Sequence, residues 1–398
     1  MPSWPSDKAT REPNHAMVTS DPLILCYLHS FAEGGVERVA LRLCTAWSRA
    51  GGRVRVLIGR EEAADRLTRP AVHCVRFSSF GIPTRRFETL WMILCLWRQV
   101  RAERPDVIFC AGNTYAIVAV ALRLLLGRAC PPVLVKISNS VERRDMPAPV
   151  RLCYQLWLRI QGRLLHHFVA MAPAMRGEAA AALGIAASRL SVVENPAITQ
   201  QQLSALAAPD RVVPRSPRRV LSVGRLVRQK RFDLLIRAFS RAAGPHDTLV
   251  IVGDGPRRAA LQRLIDRLGL AGRVRLAGHD PDVAPYFRDA DLFVLSSDYE
   301  GLPSVLVEAL AAGIAIVATD CSPAISDLLE HGRLGDVVAV GDEEWLARAI
   351  AAAPSLSPAP ALASARAVRH LLERAAPAYL DLLRRVAAGG EEKDPAID

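Results

Sequence analysis

Short apolar runs alternate with stretches of helical spacing along almost the whole chain, and this alternation predicts the architecture. In the first half the runs are residues 23–29, 54–58, 106–110, 133–137, 167–171 and 190–193. Runs this short, rich in Val, Ile, Leu and Phe, suit buried strands. Helical spacing fills residues 36–50, 87–103, 116–126 and 150–166; the first of these stops at Gly51-Gly52 and the second just before Pro105. Gly and Pro are the ordinary stop signals of a helix.

The pattern breaks between residues 195 and 219, where Pro196, Pro209, Pro214 and Pro217 interrupt a polar, Ala-rich segment. A second series then begins, with strands expected at 220–223, 249–252, 274–277, 292–295, 316–318 and 336–340. Strands separated by helices specify a doubly wound parallel α/β sheet, here twice over. The predicted divisions are a disordered leader (1–20), a first domain (21–195), a linker (196–218), a second domain (219–375) and a C-terminal helix and tail (376–398). A length of 398 residues agrees with two cores. Met17 is an alternative start, and residues 1–20 lack the apolar core of a signal peptide. No uninterrupted apolar run reaches the roughly 18 residues of a spanning helix.

Charge changes this picture. Residues 1–200 hold 26 Lys and Arg against 15 Asp and Glu, whereas residues 201–398 hold 25 of each, so the first half carries the whole net charge of +11. An anionic partner is expected there: phospholipid headgroups, a phosphorylated acceptor or nucleic acid. Nucleic acid is disfavoured, because no recognised module is present and the aromatic residues read as core. The eight cysteines show no paired short spacing and mostly sit in apolar runs, as buried free thiols of a reducing cytosol do.

Candidate chemistry concentrates at the strand-to-helix turns. Glu300 and Glu308 flank a Gly-x-Pro turn, eight positions apart. Glu300 falls at a strand's carboxyl end and Glu308 just over one turn into the next helix. Both acids should face the crevice where open parallel sheets bind ligands. The pair suits either acid-base work or hydrogen bonds from a polyol. Gly224-Arg225 and Lys230 occupy another such turn, where helix amides and two cations favour a diphosphate. Gly253-Asp254-Gly255-Pro256 forms a third turn, and Gly34-Gly35 opens the first helix. Adjacent glycines there permit close backbone approach to a phosphate. Asp289-Ala290-Asp291 is not expected to bind metal, since it precedes a buried strand and two carboxylates alone seldom hold magnesium.

Taken in order, Gly34-Gly35, Gly224-Arg225 with Lys230, Gly253-Asp-Gly-Pro256 and Glu300-Gly-Leu-Pro with Glu308 resemble the family 4 retaining glycosyltransferases over about residues 22–350. The resemblance implies the GT-B fold, two Rossmann-like domains facing across a cleft. It assigns Arg225 and Lys230 to the diphosphate of a UDP- or GDP-sugar donor, and Glu308 to its ribose. Glu300 would meet the transferred sugar, helped by the backbone across Gly301, Leu302, Pro303 and Ser304. Gly35 would let the N-terminal loop close over the phosphates, with Gly34, Gly224 and Gly253 also at the donor and residues 280–283 near the base. Glu300, Arg225 and Lys230 are then the catalytic set. No metal or cofactor is implied, because the nucleotide sugar is a substrate. The sequence departs from the family in one respect. Ser138 or Asn139 stands where many members place a histidine toward the sugar, with His29 a poorer substitute.

Two helices compete for membrane contact. Residues 87–100 read as a sheet-packing helix. Residues 150–167 carry Arg151, Arg159 and Arg163, no acids, and Tyr154 and Trp157 among apolar residues. Helices of that kind lie on anionic bilayers. The expected function is therefore retaining transfer of a hexose-type sugar to a lipid-linked or glycan acceptor in bacterial polysaccharide or lipopolysaccharide synthesis, in the cytoplasm at the inner face of the membrane. A nucleotide-sugar 2-epimerase on the same fold and a non-catalytic nucleotide-sugar-binding subunit are the alternatives.

Overall fold

A computed structural model describes residues 21–29, 34–59, 72–77, 87–143, 145–207, 217–353 and 359–389. The leader, the centre of the linker and the end of the charged tail lie outside the described residues. The first sheet contains β1 (Ile24–Leu28), β2 (Val54–Ile58), β3 (His73–Arg76), β4 (Val107–Cys110), β5 (Val133–Lys136), β6 (His167–Ala170) and β7 (Leu190–Val192), in the spatial order β3-β2-β1-β4-β5-β6-β7. Its helices are α1 (Gly35–Arg49), α2 (Glu88–Glu103), α3 (Ala116–Leu126), α4 (Ala148–Leu164) and α5 (Arg176–Leu183). After α6 (Gln200–Leu206) the second sheet follows: β8 (Arg219–Val223), β9 (Thr248–Val252), β10 (Val274–Gly278), β11 (Leu292–Leu295), β12 (Ala315–Thr319) and β13 (Asp336–Val338). Their order is β10-β9-β8-β11-β12-β13, interleaved with α7 (Phe232–Ala242), α8 (Arg258–Arg267), α9 (Ala284–Asp289), α10 (Ser304–Ala311), α11 (Pro323–Leu328) and α12 (Glu343–Ala352). Every named strand pair is parallel.

Both sheets reverse direction beside their first strand, β1 between β2 and β4, and β8 between β9 and β11. Such a switch point opens a crevice outside the carboxyl ends of the strands, because the flanking connections leave to opposite faces. The turns after β8 and β11 carry Lys230 and Glu300, so topology alone brings them together.

Three sequence expectations need correction. The pattern offers no strand at 73–76, yet β3 pairs there with β2; it is a half-exposed edge strand without an apolar run. The segment expected to be linker contains α6, whose start is a capping box: Thr199 accepts from the Gln202 amide, and the Gln202 side chain accepts from the Thr199 amide. The boundary at residue 375 falls inside α14 (Leu372–Ala387), which follows α13 (Pro360–Val368) and returns to the first domain. There Trp47 Nε1 donates to the Ala376 carbonyl at 2.8 Å, and Tyr379 packs against Trp47 and Phe109. The two passages between domains run side by side, with Ile198 bridged to Leu371 and the Leu372 amide donating to the Ile198 carbonyl at 2.8 Å.

Candidate active site

The floor of the second domain's crevice is two glycine turns locked backbone to backbone. Gly224 and Leu226 amides donate to the carbonyls of Val252 and Asp254, both at 2.9 Å. Gly253, at φ 137°, leaves no room for a Cβ, which would strike the Gly224 carbonyl. That close approach explains the glycine. Arg231 takes a left-handed conformation (φ 47°) and turns the chain into α7, while Lys230 lays its stem against Gly224. The Lys230 ammonium then meets Glu300 Oε1 at 2.5 Å. Arg225 stands exposed on the same turn.

The Glu300 loop is held from both domains. Gln229 Nε2 donates to the Tyr299 carbonyl at 2.7 Å, and the Ser140 amide of the first domain donates to the Glu300 carbonyl at 2.8 Å. Asn195 Nδ2 donates to the Leu302 carbonyl at 3.1 Å. The Arg143 guanidinium lies 3.6 Å over the Tyr299 ring. Gly301 abuts the Ser138 carbonyl and the Met171 methyl so closely that a side chain there would drive the domains apart. Pro303 precedes α10 as its N-cap, Ser304 begins it, and Glu308 follows in its second turn.

Glu308 is 2% exposed, and neither carboxylate oxygen has a hydrogen-bond partner. Burial raises its carboxyl above the ordinary range, while Arg38 and Arg42 of α1 pull it back down. Those two arginines belong to the first domain, on the helix that Gly34 caps and Gly35 begins. Burial lowers the Arg42 guanidinium, the Arg38 charge lowers it further, and Glu308 and Glu373 oppose this; Arg42 also donates to the Ala197 carbonyl at 3.3 Å. An unpaired buried carboxylate is costly unless a ligand supplies donors.

At the position of the missing histidine, Ser138 is committed to Asn113: its amide donates to Asn113 Oδ1 at 2.7 Å, and its hydroxyl accepts from the Asn113 amide at 3.1 Å. Asn139 is half-buried beside it. His29 stacks on Tyr115, with ring centroids 4.9 Å apart, and lies 4.0 Å from Glu88. Asp291 accepts from the Arg219 amide at 2.8 Å, and Asp289 pairs with the Arg219 guanidinium. Both aspartates therefore serve the start of β8. No cluster of three or more potential ligand side chains occurs among the described residues.

Sequence reasoning missed Asn195, Ser140, Arg38 and Arg42. Only the arginines left a signal, an i,i+4 pair just after Gly34-Gly35. It also missed Lys136, at the end of β5, whose ammonium donates to Met171 Sδ at 3.0 Å and is otherwise enclosed. Burial lowers this amine to about 7. The unfolded chain takes up the proton below the ordinary lysine value, and the fold resists until about 7. The stability Lys136 contributes is therefore full above the ordinary value and lost as pH falls to 7. Lys136→Met is expected to stabilise the protein at pH 7 by roughly 2–4 kcal/mol. That gain should shrink toward pH 10, as denaturant unfolding at the two pH values would show.

Comparison with known proteins adds family evidence to this geometry. Residues 33–201 match the family model described as Glycosyltransferase Family 4, and residues 208–367 match that of Glycosyl transferases group 1. The chain is 40% identical over 131 residues to the lipopolysaccharide core biosynthesis glycosyltransferase LpsE of Rhizobium meliloti (strain 1021), covering 33% of this chain and 38% of that protein. It is 28% identical over 314 residues to the lipopolysaccharide core biosynthesis mannosyltransferase LpcC of Rhizobium leguminosarum bv. viciae, covering 73% and 80%. The chain spans less than half the length of several curated relatives it matches. Among solved structures, Anabaena Alr3699/HepE in complex with UDP superposes with a TM-score of 0.68 at 20% identity, over 91% of this chain and 99% of that one.

Proposed function

The chain belongs to the family 4, group 1 glycosyltransferases of GT-B fold, and from that premise we propose that it transfers a sugar, with retention, from a UDP- or GDP-sugar to an acceptor hydroxyl. The observation that carries the donor reading is Glu308, a fully enclosed carboxylate without a donor, on the same crevice as the Lys230–Glu300 pair. A ribose offers two hydroxyls to such a group. Arg225 and Lys230 bind the diphosphate, and Lys230 leaves Glu300 to do so. Glu300 then accepts from hydroxyls of the transferred sugar, with the amides of Gly301, Leu302 and Ser304 nearby; Pro303 has none to give. Asn139 is the remaining sugar contact where Ser138 is tied to Asn113.

In this reading bond cleavage places negative charge on the departing diphosphate, which Arg225 and Lys230 stabilise without a metal. Stabilising charge on the leaving group is the largest catalytic effect available here. The same diphosphate takes the proton of the incoming hydroxyl on the front face of the sugar. The cross-domain grip on the Glu300 loop closes the cleft and limits hydrolysis.

The acceptor proposed is lipid-linked or a glycan of lipopolysaccharide or polysaccharide assembly, at the inner face of the membrane. Relatives with such names and the basic first domain support this. No helix among the described residues is long and apolar enough to cross a membrane, so contact would be peripheral, through α4. Leu152, Leu156, Arg159 and Arg163 follow one another at helical spacing there, all exposed. The decisive experiment screens UDP-, GDP- and ADP-sugars by thermal shift, then follows transfer to membrane extracts with the product anomer assigned by NMR. A UDP- or GDP-sugar should raise the melting temperature and be consumed only with acceptor, with EDTA making no difference. Consumption without acceptor would favour an epimerase, and binding without turnover a binding subunit.

A further inference from the structure

Nine of the twelve large apolar side chains that stand exposed among the described residues lie on α2, α3 and α4 or at the entrance to α2. These helices connect successive strands running the same way across the sheet, so they share its outer face; α1 and α14 cover the other. The sequence pattern assigns α2 to the core. Its Met92, Cys95, Leu96 and Val100 are indeed buried, yet Leu90 is 69% and Leu94 44% exposed. On α3, Leu124 and Leu125 are 68% and 61% exposed. Soluble surfaces seldom collect so many apolar tips on adjacent helices without a partner.

Between α2 and the end of α3 runs a groove of about 1080 Å³, with Ile93, Trp97 and Leu126 in its lining and Arg101, Arg104 and Arg128 among its margins. One acid, Asp106, also lines the groove, and both it and the neighbouring Glu103 already have partners. Glu103 pairs with Arg55 at 3.6 Å, and Asp106 accepts from the Leu23 amide at 2.7 Å. Arg101 stacks over Trp97 at 4.9 Å. Among the described residues the groove therefore presents apolar side chains framed by three arginines, against the single acid Asp106 in its lining.

We propose that this α2–α3 face rests on an anionic phospholipid bilayer. Its leucines enter the acyl region, and Arg101, Arg104 and Arg128 meet headgroup phosphates. Charge complementarity selects the occupant: a neutral apolar partner would leave three arginines unused, and an acidic protein surface would leave the leucines exposed. The inference rests on the reading that the acceptor is membrane-borne. It adds that α2 and α3 form the principal contact and α4 its edge beside the cleft.

The test is co-sedimentation of the full chain with phosphatidylglycerol–phosphatidylcholine vesicles and with pure phosphatidylcholine. The wild-type protein should bind the anionic vesicles and release from them as salt rises. The combined variant Leu90→Ser, Leu94→Ser, Leu124→Ser, Leu125→Ser should lose binding by at least about tenfold. Its melting temperature and donor-induced thermal shift should stay unchanged, since all four side chains are exposed. Arg101→Gln, Arg104→Gln, Arg128→Gln should abolish the preference for phosphatidylglycerol. Wild-type binding by the leucine variant overturns the proposal. If that variant binds normally while Arg151→Gln, Arg159→Gln, Arg163→Gln does not, this inference falls and the α4 reading stands. If wild type itself ignores both vesicles, both fall. Conversion of a dimer to a monomer by the leucine variant, without any vesicle binding, would instead make the face a self-interface and also overturn the proposal.

Discussion

Lys230→Ala is expected to lower the rate of sugar transfer by about 10²–10³-fold. The ammonium sits where the leaving diphosphate gathers charge, and in the free protein it is held 2.5 Å from Glu300. Glu300→Gln should fall similarly, because a neutral amide accepts weakly from sugar hydroxyls. A stability effect has to be separated from this. Glu300 is only 7% exposed, so removing Lys230 leaves a nearly buried carboxylate unpaired, at a cost of about 1–3 kcal/mol. The double variant Lys230→Met, Glu300→Gln removes both charges. It should recover most of that stability and none of the transfer. Initial rates of nucleotide release, set beside urea unfolding curves for the three variants, make the distinction. A Lys230→Ala protein that turns over like wild type would remove Lys230 from the reaction.

Glu308→Gln is expected to do opposite things to stability and to donor binding. Burial raises the folded carboxyl above its ordinary value despite Arg38 and Arg42. Below the ordinary carboxylate range both folded and unfolded chains hold the proton. As pH rises through that range the unfolded chain ionises first, so this group removes stability at neutral pH. Glutamine avoids that cost, and the ligand-free variant should melt higher than wild type at pH 7 but not at pH 4. Donor affinity should fall by roughly 10–100-fold, the value of one or two hydrogen bonds to a charged acceptor. The acid limb of donor binding, which follows ionisation of Glu308 in wild type, should vanish with it. Calorimetric titration of the best donor between pH 5 and pH 8 reads both effects. Equal affinity in the two proteins would detach Glu308 from the ribose.

The two predictions concern parts of one crevice that were legible to different degrees. The order of strands and helices needs only local periodicity, and the turn glycines announce themselves because nothing else fits a backbone approach as close as that of Gly253 to Gly224. Lys230 and Glu300 could be paired from topology, since the turns after β8 and β11 must meet at the switch point. The capping box of α6 was equally legible at Thr199 and Gln202, hidden only by the surrounding prolines. The edge strand β3 was not, because one half-exposed pairing imposes no apolar run.

What the amino-acid sequence determined by itself is the pair of parallel sheets, the glycine turns and the acids and bases set on them, all products of neighbours within a few positions along the chain. Only the tertiary structure decided the rest. It set Arg38 and Arg42 opposite Glu308, tied Asn195 to the Leu302 carbonyl, carried α14 back to the first domain, and turned Leu90 and Leu94 of α2 outward. Each of these joins or separates segments far apart in the chain. Helical spacing states that a face is apolar, but whether that face meets a sheet or open solvent depends on which elements the whole fold brings against it.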